Sequence, residues 1–197
     1  MGRTKKKRKK GKKGTKKVYG KGDFASGDGM LTSVWGPSLW HYLHTMSFNY
    51  PVKPTKQDKK SYKAFVINLK NVLPCGYCRL NFVKNLKSVP LRAFDLKNRC
   101  NFSKWMFRLH EHINKMLGKK SNLTFVQVQE RYEHFRARCT IDIGGKTKIV
   151  KTRKKKEKGC VEPLYGKKSK CVIKIVPSET KGGTFQMDDR CKKKRTN

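Results

Sequence analysis

The sequence predicts an all-α fold: a bundle of five consecutive helices, with a disordered basic tail before it and a small basic, strand-containing extension after it. Three observations carry that expectation. Apolar residues recur at three- and four-residue spacing between residues 37 and 139, Pro marks the breaks between these runs, and charge is concentrated at both ends. Of 197 residues, 50 are Lys or Arg and 13 are Asp or Glu, a formal net charge of +37. Residues 1–22 hold twelve cations and no acid, while residues 140–197 hold eighteen cations and six acids. The chain therefore divides into a tail and Gly-rich linker (1–33), a helical domain (34–139) and a Cys-containing extension (140–197).

The first helix is expected over "PSLWHYLHTMSFNY" (37–50), with Pro37 at its opening position and Trp40, Leu43, Met46 and Tyr50 at helical spacing. "TKQDKKSYKAFVINLKNVL" (55–73) follows, with Thr55 placed to cap it and Tyr62, Phe65, Leu69 and Leu73 on one face. Pro74 ends that run. A third helix is read over "CRLNFVKNL" with Leu80, Val83 and Leu86 as its stripe. The fourth, 101–119, repeats Trp105, Leu109, Ile113 and Leu117, with Ser103 as cap and Gly118 at the stop position. "TFVQVQERYEHFRARC" (124–139) reads as a fifth helix, although its first residues also alternate. Beyond it, "TIDIGGKTKIV" reads as two short strands around Gly144-Gly145 and "CVIKIV" (171–176) as another.

A block such as "KKKRKKGKKGTKK" repels itself and has nothing apolar to bury, so it reads as disordered. It serves either to attract polyanions (nucleic acid, an anionic membrane, an acidic protein) or as a solubilising or nuclear-import tail. No aromatics interleave with these cations in the way that stacks bases. No apolar run reaches transmembrane length and the N-terminus is charged rather than signal-like, so a soluble protein made in the cytosol is expected. Lys6 stands where myristoylation prefers Ser or Thr, and "NFS" (101–103) and "NLT" (122–124) read as chance matches to glycosylation acceptors.

Seven cysteines are present, and "LPCGYC" sets Cys75 and Cys78 two residues apart. A four-cysteine zinc site usually needs a second such pair, which is lacking, so no metal is expected. A thioredoxin-like unit wants a strand before the pair, and a helix is read there. As a structural staple the pair closes a tiny loop and constrains little. A redox role fits best: Cys75 opens a helix, whose free amides and dipole favour a thiolate, Arg79 adjoins it, and no acid lies between Asp58 and Asp95. Such a pair needs an electron acceptor. Trp40 and His44 share a face of the first helix, and His110 and Asn114 share one on the fourth, an arrangement that suits a planar cofactor between bundle helices. Lys119, Lys120 and Arg131 are near enough in sequence to meet phosphates.

These motifs together resemble the Erv/ALR family of FAD-dependent sulfhydryl oxidases. "WGPSLWHYLHTMSFNYP" resembles its first FAD helix, "LPCGYC" its active-site pair, "WMFRLHEHINKMLGK" its His-Asn helix, and "ERYEHF" stands in place of its Glu-Arg-Trp. The match spans roughly residues 34–138, and its opening is most similar to members from large DNA viruses. The resemblance implies a five-helix, usually dimeric, FAD-binding domain that passes electrons from protein dithiols to FAD and on to O2, releasing hydrogen peroxide. It implies Cys75 as the exchange cysteine, Cys78 beside the flavin, and Trp40, His44, Tyr50, His110, Asn114, Lys119 and Tyr132 around FAD. It also implies residence in the host cytoplasm (a viral factory) and in the virion, with nuclear targeting by the basic N-terminus as a further option. Three positions depart from the family's pattern: Glu111 replaces an Asn, Tyr132 a Trp, and Phe107 a Cys of a structural disulfide, for which Cys100 with Cys139 is a substitute. A second, shuttle disulfide would have to come from Cys160, Cys171 or Cys191. The competing reading is a nucleic-acid-binding packaging protein with a helical scaffold, and a zinc-binding helical module is third.

Overall fold

A computed structural model describes residues 18–138, 159–180 and 186–194. Among them the helices are α1 (Lys21–Phe24), α2 (Thr32–Phe48), α3 (Lys56–Val72), α4 (Gly76–Ser88), α5 (Arg99–Met116) and α6 (Phe125–Glu133). The fold is thus mainly helical, and all five expected helices are present. Two short strands, β1 (Ala137–Arg138) and β2 (Glu162–Pro163), pair antiparallel with Ala137 opposite Pro163.

Several boundaries differ from expectation, each for a local reason. α2 begins at Thr32 rather than at Pro37, so Pro37 lies inside the helix, where the Ser33 carbonyl loses its amide donor four residues on. The linker before it is not featureless, since Lys21–Phe24 form a single turn. α5 is capped by Asn98, whose Oδ1 accepts from the Asn101 amide at 2.9 Å. Ser103 lies a turn inside, its hydroxyl donating back to the Arg99 carbonyl at 2.9 Å. α6 stops at Glu133, and the chain turns through Phe135 and Arg136 into β1, so the helix expected to residue 139 is shorter. The expected cap at Thr55 is formed, paired with Asp58, and the structure adds a second at Thr124, paired with Gln127. Gly118 takes a left-handed φ of 67° just past α5, a conformation that Gly adopts at little cost.

The core forms where α2, α3, α4 and α5 face one another, with Trp105, Tyr50, Phe102, Leu43 and Met106 fully or almost fully buried. The Trp105 indole N–H lies 3.3 Å from the Val89 carbonyl and 3.2 Å from that of Pro90, tying α5 to the loop after α4. On α3 the buried side chains include Val66, while Phe65 is exposed. On α4, Leu80 and Val83 point to solvent, and Phe82 and Asn85 face the core instead. Of the stripe read at Leu80, Val83 and Leu86, only Leu86 packs against the core, because Phe82, the largest apolar side chain of the segment, takes the interior. Leu117 likewise ends up exposed.

The strands expected within 140–150 lie outside the described residues, as does Cys139. Residues 171–176 form no strand and pair with none among the described residues, and Val172, Ile173, Ile175 and Val176 are exposed. The extension returns to the helical domain through β2 and through the Lys193 amide, which donates to His134 Nδ1 at 2.9 Å. No helix among the described residues is long and apolar enough to cross a membrane.

Candidate functional site

Cys75 and Cys78 are joined by a disulfide across the first turn of α4, with their Cα atoms 5.1 Å apart. Cys75 is the helix N-cap, and its sulfur accepts the Cys78 amide at 3.2 Å. Pro74 fixes an extended entry into the turn. Arg79 reaches back over Gly76 and donates from Nη1 to the Leu73 carbonyl at 2.6 Å, which sets a guanidinium beside the pair. The helix N-terminus and this cation both favour negative charge on a released sulfur.

A segment that the sequence reading treated as linker builds the other side. The Met30 amide donates to the Pro74 carbonyl at 2.8 Å, and the Trp35 indole donates to the Met30 carbonyl at 3.0 Å. Gly29 lies so close that a Cβ there would meet the Pro74 carbonyl oxygen at 3.1 Å and Cys75 Cα at 3.2 Å. Thr32 Oγ1 sits 3.8 Å from Cys78 Sγ. Gly29 within "SGDGM" was the available signal, and it carries meaning only once the close approach is known.

An aromatic wall runs along α2 where it faces α5 and α6. Trp40 stacks on His110 with ring centroids 3.9 Å apart and planes within 6°. His44 Nε2 and His110 Nδ1 share a hydrogen bond of 2.9 Å, and Tyr132 stacks near His44 and Phe48, both at 5.3 Å. Burial, joined by the nearby His110 and His41, lowers the His44 pKa to about 3. Burial also lowers His110 to about 4, with Lys119 acting in the same direction and Glu111 opposing. Both rings are therefore neutral at pH 7 and one hydrogen serves the bond between them. Burial raises the Tyr132 phenol to about 12.

Of the residues expected around a cofactor, the structure brings Trp40, His44, His110 and Tyr132 together. Asn114 lies one turn along α5 from His110, its amide donating to Glu111 Oε1 at 3.1 Å. Glu111 thus has a partner within its own helix. Lys119 is exposed just past α5, with its backbone amide on the Asn114 carbonyl. Tyr50 does not join this group: its fully buried ring packs on Tyr62 and Phe102, and its hydroxyl donates to the Leu96 carbonyl at 3.0 Å. His41, Phe48 and Phe135 belong to the wall and were missed, since each reads equally well as ordinary core.

The wall fits a flat cofactor on two counts. It presents coplanar π surface, and His44 Nδ1 is a buried polar atom with no hydrogen-bond partner. Trp40 and His110 stack in van der Waals contact with each other. Beside Phe48 a cleft of about 530 Å³ is lined by Lys53, Arg99 and Arg136 among others, cations suited to phosphate oxygens. Arg99 and Arg136 are held rigidly, Arg99 by the Tyr50 carbonyl at 2.6 Å and Arg136 by Phe48 O and Glu133. Among the described residues, no three His, Cys, Asp or Glu side chains are grouped to hold a metal.

Phe107, which stands where the family's pattern has a cysteine, meets Phe125 of α6 edge-on at 5.9 Å. Cys100 is a free, exposed thiol and does not form the substitute disulfide with Cys139. Cys160 is disulfide-bonded, whereas Cys171 and Cys191 are free.

Known proteins resemble this chain in sequence. The Erv1 / Alr family pattern matches residues 37–133. A probable FAD-linked sulfhydryl oxidase of Acanthamoeba polyphaga mimivirus is 37% identical over 104 residues, 53% of this chain and 72% of the relative. A FAD-linked sulfhydryl oxidase of African swine fever virus is 33% identical over 86 residues, 44% of this chain and 70% of the relative. The solved yeast Erv1 core is 26% identical with a TM-score of 0.47, covering 62% of this chain and 96% of that one. By sequence relationship to these proteins, the chain belongs to the Erv1/Alr family.

Proposed function

We propose that this chain is a FAD-linked sulfhydryl oxidase that introduces disulfides into protein substrates. The observation that carries the reading is the Cys75–Cys78 disulfide at the start of α4, flanked by Arg79, in a chain that also builds a neutral aromatic wall. A substrate thiolate attacks Cys75 Sγ and breaks the Cys75–Cys78 bond, leaving Cys78 as the thiolate. The second substrate thiol then displaces Cys75, closing the substrate disulfide and leaving both protein sulfurs reduced. Two electrons and two protons move from substrate to enzyme. Thr32 stands beside Cys78 Sγ and Gly29 behind Cys75, so the protein orients the pair for attack at Cys75.

Trp40, His44, His110 and Tyr132 would hold FAD, with Asn114, Lys119, Arg99 and Arg136 at its polar end. When bound, FAD supplies the acceptor for the two electrons and hands them to O2, giving hydrogen peroxide. The neutral imidazoles of His44 and His110 keep that wall uncharged, and His44 Nδ1 offers it a hydrogen-bonding atom. A homodimer, a polyanion held by the basic flanks, and action in a host cytoplasm or virion complete the reading. The net charge of +37 supports the polyanion.

The test is an absorption spectrum of the purified protein, repeated with dithiothreitol under air. A flavin band that bleaches and returns as oxygen is consumed, and a cycle lost in Cys75→Ser, is the expected result. A protein that stays colourless after FAD addition refutes the reading.

A further inference from the structure

The disulfide has one covered side and one open side. Gly29 and Met30 lie on Pro74 and Cys75, and Thr32 lies beside Cys78, so approach is left from the side of Gly76. There the structure has a cleft of about 510 Å³ between the end of α3 and the outer face of α4. Its lining is Lys70, Asn71, Gly76, Arg79, Leu80 and Val83. Apolar side chains where α3 ends and α4 begins are unburied: Leu80, in the cleft, is 66% exposed, with Tyr77 at 74% and Val72 at 67% nearby in sequence. Leu80 and Val83 are the residues that the helical pattern would have sent inward, and the fold turns them out beside the disulfide.

The charge here is one-sided. Between Asp58 and Asp95 the sequence has no acid, so every ionised side chain contributed by the last four turns of α3 and by α4 is a cation. Lys70 and Arg79 flank the cleft itself. Exposed apolar area beside like-signed charge marks a surface built for a partner that brings apolar contact and the opposite charge.

We infer that this cleft is the substrate-docking site, and that it takes an extended cysteine-bearing segment of another protein with apolar residues next to the cysteine and acidic residues flanking them. This rests on the thiol-oxidase reading and specifies its substrate class. The segment's apolar side chains cover Leu80 and Val83, its carboxylates meet Lys70 and Arg79, and its thiolate reaches Cys75. Exchange then proceeds as above, with the substrate's two thiols oxidised to a disulfide and Cys75–Cys78 reduced to two thiols. Electrostatic attraction of this kind acts first on encounter, so it enters kcat/KM and weakens with salt.

The test compares two synthetic dithiol peptides that are identical except for Glu or Lys flanking the cysteines, with dithiothreitol as a third substrate. The full-length, flavin-loaded protein is used at low and high salt. The wild type should favour the Glu peptide in kcat/KM by about tenfold at low salt, an advantage of the size that steering gives. Lys70→Glu should reverse or abolish that ratio, and Leu80→Asp should weaken the Glu peptide. Lys56→Glu supplies the control for overall charge: it changes the net charge equally but lies fourteen residues earlier on α3, about 21 Å away at the helical rise. It should leave the ratio intact.

Equal effects of Lys56→Glu and Lys70→Glu would overturn the site, since the preference would belong to the whole cationic chain. Turnover of dithiothreitol with a peptide ratio near one, or with neither peptide oxidised, also overturns it while leaving the oxidase reading standing. A dimer that dissociates on Leu80→Asp would identify a second copy as the occupant and overturn it as well. Failure of the wild type to oxidise dithiothreitol would instead refute the oxidase reading.

Discussion

Lowering the pH from 6 to 5 should destabilise this protein steeply, and His44 should account for a definable share of the slope. His44 is 4% exposed and its pKa falls to about 3, while that of His110 falls to about 4. In the unfolded chain both return to about 6.5. Between these values the unfolded state binds more protons than the folded one, so stability drops as pH falls below 6.5 and continues to drop toward the folded pKa values. At pH 5.5 an unfolded His is about nine-tenths protonated and the folded one almost not at all. Each of the two then contributes about 1.2 kcal/mol per pH unit, or about 2.5 together. The slope depends on both rings being neutral when folded rather than on the precise pKa of either. The window from pH 5 to 6 leaves most carboxylates ionised in both states. Urea unfolding at pH 5.0, 5.5 and 6.0, followed by tryptophan fluorescence, measures the slope directly. In His44→Phe, which keeps an aromatic ring against Trp40 and Phe48, the slope should fall by about 1.2 kcal/mol per unit. A variant that keeps the wild-type slope would refute the reasoning, for His44 would then titrate alike in both states.

Three further outcomes are expected. Trp105→Ala should cost about 3–5 kcal/mol in urea unfolding, since it empties a fully buried site and withdraws the donor shared by the Val89 and Pro90 carbonyls. Phe107→Ala should cost at least the roughly 0.5–1.5 kcal/mol of an edge-on aromatic pair and loosen α6, read as faster hydrogen exchange along Phe125–Glu133. Gly29→Val should push the Gly29–Met30 segment off Pro74, and loss of exchange protection at the Met30 amide would register it.

The helices were legible because their evidence is local. Thr55 with Asp58, Thr124 with Gln127, and Gly118 announce ends by chemistry confined to a few residues. Which face turns inward is a different kind of fact. Leu80 and Val83 are as apolar as Phe82, and only the shape of the space against α3 and α5 decides that Phe82 enters it. Tyr50 shows the same limit from the other side: the motif gives no sign that its hydroxyl finds the Leu96 carbonyl and its ring fills the core. The cysteine pair could be read as redox-active from its spacing and its neighbours. The segment that covers one side of it could not, because nothing about Gly29 or Met30 indicates that they will meet Pro74 some forty-five residues later. The pairing of β1 with β2, across residues more than twenty apart, was invisible for the same reason.

The hydrogen bond from Met30 to Pro74 also fixes where the chain's N-terminal arm is anchored. Lys21 precedes Gly29 by eight residues, a span of no more than about 28 Å even at full extension. Lys21, the last of the twelve cations in residues 1–22, is therefore kept within that reach of the disulfide. Were an acidic protein held there, its cysteines would meet the disulfide at an effective concentration set by the length of chain between them rather than by its concentration in bulk.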